Sequence, residues 1–491
     1  MAARSTTLHT PSSGGLTARL EAVFAATRKE AGVREGFPED VVRAAERAAG
    51  APQLPERDES AVEFVTIDPP GSMDLDQALH IEPAESQDEG ESAVQAAYRV
   101  RYAIADVPAF VQPGGTVDSE VRLRGQTVYC PDTRVPLHPA VISEEAASLL
   151  PGVMRPAYVW DIVLGPTGER VEASVYRAMV RSRRRFTYAE VQAGVDDGSA
   201  EQTLMLLREV GRLRVQRESD RRGASLPMPE QEVHVEDDQY VVRFRPVLEA
   251  EEWNAQISLL TGMVAAQMML DGKVGILRTM PAADKRSRGR FRRQARALGV
   301  HWPDGMAYGD FLRTLDRSDP AHLALIHDAT ALFRGAGYTP FDGDLPQQRE
   351  QAALAAPYAH VTAPLRRLVD RYGLAICEAL SRGEAAPAWT LDALPDLPQV
   401  MQASGSTARA VERGCLDAVE AAVLESRVGE AFAAVVVDET SGGIPIVQIT
   451  HPAITAKATG DVVMGSKVHV KVVAVDVPQR TVELQVVSGV S

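Results

Sequence analysis

The pattern of apolar and polar positions divides the chain into parts of different character. Residues 16–50 have apolar side chains at helical spacing and predict two helices, the second opened by Pro38 and ended by Gly50. From 61 to about 170 the pattern is mainly that of strands, and from about 186 to 425 helical spacing dominates. The remaining C-terminal residues form short apolar runs broken by Gly, Pro and Asp, which predict about five short strands.

This order of elements predicts an α+β multidomain protein. We expect a small helical N-terminal module at 1–60, a large central domain at 61–427 and an OB-type β-barrel at 428–491. The alternative for the last part is a β-rich tail that caps the central domain. A chain of 491 residues can hold about two to four domains with an ample core.

The composition is typical of a globular protein without a membrane span. Charged residues make up 24% and hydrophobic residues 45% of the chain, and no apolar run reaches about 18 residues. The N-terminal residues lack the apolar core of a secretory signal. The cysteines Cys130, Cys377 and Cys415 are scattered and predict neither a disulfide framework nor a zinc site. We therefore expect a cytoplasmic monomer.

A net charge of −15 disfavours an anionic partner only if the charges are evenly spread. The cations cluster at 181–185, 212–222, 285–296 and 366–371. Local potential decides whether a phosphate binds. Each cluster alone is typical of a solvated helix face, whereas four clusters together with a metal-type acidic segment favour a polyanionic substrate.

The most specific chemistry lies in residues 66–79, TIDPPGSMDLDQAL. An apolar strand leads into a Pro-Pro-Gly turn, and Asp68, Asp74 and Asp76 surround that turn. Three converging carboxylates repel one another unless a cation lies between them, and hard oxygen ligands suit Mg²⁺ or Mn²⁺. The alternative is a solvated acidic loop, which the rigid turn and the apolar flanks make less attractive.

Four blocks along the chain resemble, in order, the signature blocks of the RNB-domain ribonucleases, the ribonuclease II and ribonuclease R family. They read TIDPPGSMDLDQALHIE, YAIADVPAFVQPGGTVDSE, RGQTVYCPDTRVPLHP and YAHVTAPLRRLVDRY. The resemblance spans roughly residues 60–425, and the C-terminal barrel is similar to the S1 domain that follows in that family. It implies an RNB catalytic domain that processively hydrolyses single-stranded RNA from a free 3′ end, with Mg²⁺, to 5′-nucleoside monophosphates.

The same resemblance implies roles for particular residues. Asp68, Asp74 and Asp76 match the metal-coordinating carboxylates, and Arg366 matches the active-site arginine. We expect a helix opened by Pro364 with Arg366 on its first turn, where the helix dipole already favours an anion. Gln77 stands where the family has a fourth aspartate, so it is an uncertain metal ligand. A single ordered ion, with a second recruited by the substrate, is the resulting hypothesis.

A second departure from the family pattern lies near Trp253, where a glutamate of the catalytic site is usual. The alignment puts Gln256 or a neighbour at that position, with Glu251 and Glu252 slightly upstream. Whether an upstream glutamate substitutes stays open, and a structural role for Gln256 is weighed equally with a catalytic one. The apolar spacing of this stretch predicts a core helix in either case.

The resemblance also indicates contacts to RNA. Tyr129 matches a tyrosine near the 3′-terminal nucleotide and Tyr188 matches one beside the active site, although each could be an ordinary half-buried tyrosine. Stacking contributes about 1–3 kcal/mol per base without reading sequence. Arg367 and, in the aromatic-poor barrel, Lys467 and Lys471 are further predicted contacts, which should make binding sensitive to salt.

Larger members of the family carry two cold-shock domains before the RNB domain. Residues 1–60 are too few and too helical for two such barrels, so we expect a helical module in their place and a more open path for RNA, including 3′-tailed duplex RNA. Two alternatives remain: a catalytically impaired RNA-binding protein on the RNB scaffold, suggested by Gln77, and a phosphodiesterase directed to DNA.

Overall fold

Two closed five-stranded barrels organise the molecule. The structure is a computed structural model. It describes residues 6–9, 15–84, 96–224, 230–236, 239–245, 247–316, 319–440, 442–449, 452 and 454–489.

A small helical module precedes the first barrel, as expected. Its elements are β1 (Thr6–His9), α1 (Gly15–Glu30) and α2 (Glu39–Gly50). Pro38 caps α2 and Gly50 is its last residue. Leu20 and Phe24 of α1 are buried against the C-terminal part of the fold, whereas Val41 of α2 joins the main core. The module is therefore packed against both halves of the protein.

The first barrel is closed in the order β2-β3-β4-β7-β8 by the parallel pairing of β2 with β8. A helix and a two-stranded hairpin are inserted between its third and fourth strands. In chain order the elements are β2 (Phe64–Ile67), β3 (Gln77–Pro83), β4 (Tyr98–Ala105), α3 (Thr116–Arg124), β5 (Val128–Tyr129), β6 (Arg134–Val135), β7 (Met154–Leu164) and β8 (Arg170–Phe186).

Helices dominate the middle of the chain, and the predicted core helix around Trp253 is present as the third of them. The elements are α4 (Tyr188–Asp197), α5 (Gln202–Asp220), β9 (Glu230–Glu236), β10 (Gln239–Arg245), α6 (Glu249–Gly272), β11 (Val274–Thr279), α7 (Lys285–Ala297), α8 (Tyr308–Arg313), α9 (Pro320–Ala329), β12 (Gly337–Asp342), β13 (Glu350–Gln351), β14 (Ala356–Pro357), α10 (Leu368–Ser381), α11 (Ala388–Ala393) and α12 (Leu397–Glu425). Among the described residues, no helix is both long enough and apolar enough to span a bilayer.

The start of α10 differs from the expectation that a helix opens at Pro364 and carries Arg366 on its first turn. The helix begins at Leu368, and Arg367 before it is extended, with φ −133°. The backbone N–H of Thr127 donates to the Arg366 carbonyl at 2.9 Å, which ties this segment to a distant part of the chain. The expectation is therefore wrong, because long-range pairing overrides the local helical pattern.

The C-terminal residues form the predicted OB-type barrel. Its strands are β15 (Ala431–Glu439), β16 (Pro445–Ile449), β17 (Ile454–Thr459), β18 (Lys467–Asp476) and β19 (Thr481–Gly489), closed in the order β15-β16-β17-β19-β18. Alternate residues point inward, so Val436, Val447 and Val470 are buried. The barrel shares one apolar cluster with α1 and α12.

A buried ion pair joins α10 to α3. Nη2 of Arg371 lies 2.6 Å from Oδ1 of Asp118, and each side chain is only 1% exposed. The other oxygen of Asp118 accepts a hydrogen bond from the Gly114 N–H at 2.8 Å. The Arg371 guanidinium also lies 5.0 Å from the ring centroid of Tyr372 and 5.3 Å from that of Trp389. The helix that follows Arg366 is thus fixed to the first barrel's inserted helix.

We predict that Arg371→Met destabilises the protein by about 3–5 kcal/mol, because Asp118 would keep a buried charge without its main partner. Urea unfolding measures the free energy of unfolding. Arg43→Met is the matched control, since Arg43 forms an exposed pair with Glu39 on α2 and should change stability by about 0.5 kcal/mol or less. Equal losses in the two variants would contradict the prediction.

Candidate active site

The predicted aspartates lie at one end of the first barrel, in the connection from β2 to β3. Ile67 and Phe186 pair as the last residues of parallel strands, and the N–H of Asp68 donates to the Phe186 carbonyl at 3.0 Å. The loop is fixed by Ser148, whose Oγ donates to the Met73 carbonyl at 2.6 Å and accepts from the N–H of Leu75 at 2.9 Å. The Pro-Pro-Gly turn thus returns the chain to the same barrel end.

Asp76 is the most buried of the three carboxylates, with 5% of the residue exposed. Its Oδ1 accepts a hydrogen bond from the Leu365 N–H at 2.8 Å, and its Oδ2 lies 3.6 Å from Nε of Arg366. Burial raises the pKa of Asp76 well above its ordinary value, and the charge of Arg366 opposes that rise. Asp76 therefore binds the barrel end to the segment that carries Arg366.

Asp74 is paired with an arginine that the sequence analysis missed. Nη1 of Arg134 forms an ion pair with Asp74, and Nη2 lies 2.9 Å from Oε1 of Glu144. Arg134 is on β6 directly across from Tyr129 on β5. It lies within the block RGQTVYCPDTRVPLHP, so its nearness to Tyr129 was visible in the sequence, but its contact with Asp74 was not.

Asp68 has no hydrogen bond or ion pair from its side chain within the part of the chain that the structure describes. Burial raises the pKa of Asp68 to about 6; Arg366 and Arg185 lower it, whereas the charge of Asp74 raises it further. A largely buried carboxylate with these neighbours is stabilised in its charged form by an added cation.

The donor chemistry of this cluster fits a hard divalent cation, because carboxylate oxygens are its preferred ligands and the charge of Asp74 acts on both Asp68 and Asp76. The arrangement does not by itself enclose an ion. No three acidic, histidine or cysteine side chains among the described residues converge closely enough to hold a metal. Arg134 and Arg366 instead lie against Asp74 and Asp76, so guanidinium groups supply part of the positive charge.

Gln77, considered above as an uncertain metal ligand, bridges three parts of the fold. Its Oε1 accepts a hydrogen bond from the Tyr102 hydroxyl at 2.7 Å, and its Nε2 donates to the Thr362 carbonyl at 2.6 Å. The amide thereby joins β3 to β4 and to the segment before Arg366. This geometry favours a structural role, because both ends of the amide are in use.

The two neighbouring arginines differ in their surroundings. The side chain of Arg366 is 45% exposed and faces the carboxylates. Arg367 donates from Nε and Nη2 to the two oxygens of the buried Asp370, at 2.9 and 2.8 Å. Asp370 also accepts from the Ala363 N–H at 2.7 Å. Arg367, predicted to contact RNA, is thus committed to holding the turn before α10.

The predicted tyrosines lie beside the cluster. Tyr129 is half exposed, and Tyr188 follows the end of β8, next to the end of β2 that leads to Asp68. Burial of the hydroxyl group raises the pKa of each tyrosine to about 12, and nearby acidic groups add to it. Both rings therefore border the acidic space with neutral hydroxyl groups.

The residues around the expected glutamate position make different contacts. Gln256 donates to Oε2 of Glu218 at 3.0 Å and faces away from Tyr188. Asn254, two residues earlier on α6, donates from Nδ2 to the Tyr188 hydroxyl at 3.3 Å. Glu251 caps α6 by accepting from the Leu248 N–H at 3.0 Å. Sequence reasoning missed Asn254 because helical spacing alone did not establish which face met Tyr188.

Lys467 and Lys471, the remaining predicted RNA contacts, are exposed on β18 of the second barrel. They pair across the ladder with Val435 and Ala431 of β15. The structure thus brings the three aspartates, Arg366 and the two tyrosines to one site, while these lysines belong to the separate barrel.

An acidic, arginine-lined end of one barrel, followed by a second OB-type barrel, defines a site suited to a phosphodiester substrate. Family models match both parts: the RNB domain over residues 56–380 and the RNase II-type exonuclease C-terminal S1 domain over 430–487. This chain belongs to the RNB-domain family of RNase II-type exoribonucleases.

Similar sequences carry exonuclease names. The chain is 28% identical over 321 residues to exosome complex exonuclease RRP44 homolog A of Arabidopsis thaliana, covering 62% of this chain and 33% of that protein. It is 27% identical over 364 residues to ribonuclease R of Escherichia coli, covering 70% of this chain and 41% of that protein. The chain spans about a third of the length of the exosome-type relatives that it matches.

Solved structures share the fold at low sequence identity. Mycoplasma genitalium RNase R in complex with ribose methylated single-stranded RNA has a TM-score of 0.82 at 16% identity, covering 96% of this chain and 78% of that one. Yeast Ssd1, described as a pseudonuclease, has a TM-score of 0.65 at 15% identity, covering 89% and 53%. The same architecture therefore accommodates a named RNase and a pseudonuclease.

We predict that Gln77→Asp destabilises the protein by about 1–3 kcal/mol without creating a metal ligand. A shorter carboxylate cannot donate to the Thr362 carbonyl, which would be left without its hydrogen bond. Urea unfolding measures the loss, and electron paramagnetic resonance counts bound Mn²⁺. The isosteric Gln77→Glu should lose similar stability. Gln267→Glu, whose amide donates to Asp271 at an exposed position, should lose at most about 0.5 kcal/mol. Wild-type stability together with an additional Mn²⁺ in Gln77→Asp would contradict this.

A pH dependence follows from His138, which lies beneath the Arg366 segment. Its Nδ1 donates to the Leu365 carbonyl at 3.0 Å, and burial lowers the pKa of His138 to about 4. Since the unfolded chain takes up this proton first, stability is lost as pH falls from about 6.5 toward 4. Between pH 7 and pH 5 the loss should be roughly 2 kcal/mol.

This prediction is checked by urea unfolding in the presence of a chelator, comparing wild type with His138→Asn across that pH range. The variant should lose stability less steeply as pH falls, whatever its stability at pH 7. Parallel curves for the two proteins would show that His138 does not carry the effect.

Proposed function

We propose that this protein is a metal-dependent exoribonuclease that hydrolyses RNA processively from the 3′ end and releases 5′-nucleoside monophosphates. The observation that carries the proposal is that Asp68, Asp74 and Asp76 lie at one end of the first barrel, where the charge of Arg366 lowers the pKa of Asp68 and Asp76 and the charge of Asp74 raises it. Membership of the RNB-domain family supports the same reaction class.

Asp68, Asp74 and Asp76 are the proposed ligands of Mg²⁺, with Mn²⁺ as a substitute. A bound divalent ion supplies Lewis-acid stabilisation of the phosphate charge and lowers the pKa of a bound water. Arg366 is exposed beside Asp76 and can bind a phosphate oxygen while staying charged. Its guanidinium adds to the positive charge that the phosphodiester meets.

The half-exposed ring of Tyr129 offers a stacking surface for a base at the 3′ end, and Tyr188 borders the space on the side of Asp68. Stacking reads no sequence, so a single strand of any sequence is the proposed substrate. Lys467 and Lys471 add sequence-independent phosphate contacts on the second barrel, and binding there should weaken with salt.

The proposed substrates are single-stranded RNA with a free 3′ end and duplex RNA with a 3′ tail. Mycoplasma genitalium RNase R, which shares this fold, has been described in complexes with single-stranded and with double-stranded RNA. We propose that the chain acts as a monomer in the cytoplasm.

A second candidate is RNA binding without turnover. Two observations favour it: the Gln77 amide is committed to Tyr102 and Thr362, and the described carboxylates do not close around an ion on their own. The likeness to the pseudonuclease Ssd1 gives this candidate a structural parallel. The retention of the three aspartates and Arg366 supports the enzyme.

We expect the wild-type protein to shorten 5′-labelled RNA progressively from its 3′ end in the presence of Mg²⁺, and Asp76→Asn to lose at least about 100-fold in rate. The loss follows because several kcal/mol of charge stabilisation depend on this carboxylate. Asp304→Asn is the matched control, since Asp304 is fully exposed, and it should keep the wild-type rate.

Fluorescence anisotropy with the same RNA separates the candidates. RNA binding without release of nucleotides by wild type would favour the scaffold protein, and cleavage of DNA at the rate of RNA would favour a general phosphodiesterase. Retained RNA binding by Asp76→Asn shows that its loss of rate is not a loss of folding.

A further inference from the structure

The N-terminal module contacts the hairpin that carries Tyr129. Arg28 on α1 donates from Nη1 to both oxygens of Asp132, at 2.9 and 3.0 Å, and from Nε to Glu35 at 2.6 Å. Asp132 lies at the tip of the hairpin, between Tyr129 and Arg134. The side chains of Arg28 and Asp132 are only 8% and 12% exposed, so the pair is largely shielded from water.

The hairpin has little internal structure to fix it. Its ladder consists of two residue pairs, Val128 with Val135 and Tyr129 with Arg134, and an isolated two-stranded ladder is marginally stable. Yet it carries the stacking tyrosine and the arginine paired with Asp74. Contacts from outside the hairpin therefore determine how steadily these two side chains are held.

The module holds the base of the hairpin as well as its tip. Arg124, at the end of α3, donates from Nη1 to the Arg34 carbonyl at 2.8 Å and to the Pro136 carbonyl at 3.3 Å, and from Nη2 to the Gly36 carbonyl. One guanidinium thus joins the loop after α1 to the residue that follows β6.

The other side of α1 is fixed to the C-terminal half. Arg480, in the turn between β18 and β19, donates to Thr27 Oγ1 at 2.8 Å and to Glu30 at 2.6 Å. Leu20 and Phe24 of the same helix are buried in the apolar cluster that includes α12. The helix is therefore joined to the second barrel and to α12.

We infer that Arg28 is a positioning residue: through Asp132 it holds the hairpin so that Tyr129 and Arg134 face the carboxylate cluster. The N-terminal module then contributes to how the 3′ end of RNA is held, although it supplies no group to the reaction. The inference rests on the proposed function, since it concerns the grip on the RNA substrate.

The first test is Arg28→Met, a change that keeps the aliphatic part of the side chain and removes the guanidinium. KM for single-stranded RNA should rise roughly tenfold, a part of what loss of stacking would cause, while kcat changes less than about threefold. Arg19→Met is the matched control, because it removes an exposed ion pair from the same helix and should leave both constants within about twofold.

A double-mutant cycle separates positioning from general stability. If Arg28 acts through the hairpin, Arg28→Met should change KM less than about twofold in a Tyr129→Ala background, because the affected contact is already gone. A full tenfold effect in that background would overturn the inference.

Hydrogen exchange tests the link without turnover. Amides of residues 128–135 should exchange faster in Arg28→Met than in wild type or Arg19→Met, with Arg28→Lys between them because lysine keeps the charge and loses the two-oxygen geometry. Unchanged exchange in both Arg28 variants would overturn the inference. If wild type neither cleaves nor binds RNA, the proposed function fails while faster exchange would still show the positioning contact.

Discussion

Repulsion among carboxylates that are partly removed from water is the constraint on which this site depends. Asp68, Asp74 and Asp76 cannot all stay ionised at the barrel end unless positive groups face them. Arg366 approaches from the segment before α10 and Arg134 from the inserted hairpin, so neutralising the cluster draws together parts of the chain that are far apart in sequence. The negative charge that suits the site to a cation also holds the segments of Arg134 and Arg366 against it.

The segment before α10 is ordered by hydrogen bonds to this cluster and its neighbours. Asp76 accepts from the Leu365 N–H, His138 donates to the Leu365 carbonyl and Gln77 donates to the Thr362 carbonyl. These bonds satisfy backbone groups that a helix beginning at Pro364 would have used differently. Arg366 consequently reaches the carboxylates from a turn that precedes α10, and it contributes its own charge without a helix dipole.

The sequence predicted the helices and strands, because these depend on the local period of apolar residues. It did not predict side-chain contacts between residues far apart in the chain. Strands and helices with regular apolar spacing, including α6 and the C-terminal barrel, were recognisable because burial follows that spacing. Family blocks identified the aspartates and Arg366. The contacts of Arg134 with Asp74 and of Asn254 with Tyr188 join residues 60 and 66 positions apart, and no periodic pattern encodes which partner a polar side chain will meet.

The helical module illustrates the same point at the level of domains. Its sequence indicated only two helices in residues 16–50. In the structure, α1 contacts both the second barrel, through Arg480, and the hairpin of Tyr129, through Asp132. The second barrel carries the exposed Lys467 and Lys471. Helix α1 therefore joins the barrel of the proposed phosphate contacts to the hairpin of the proposed stacking tyrosine, beside the apolar cluster that the hairpin shares with α12.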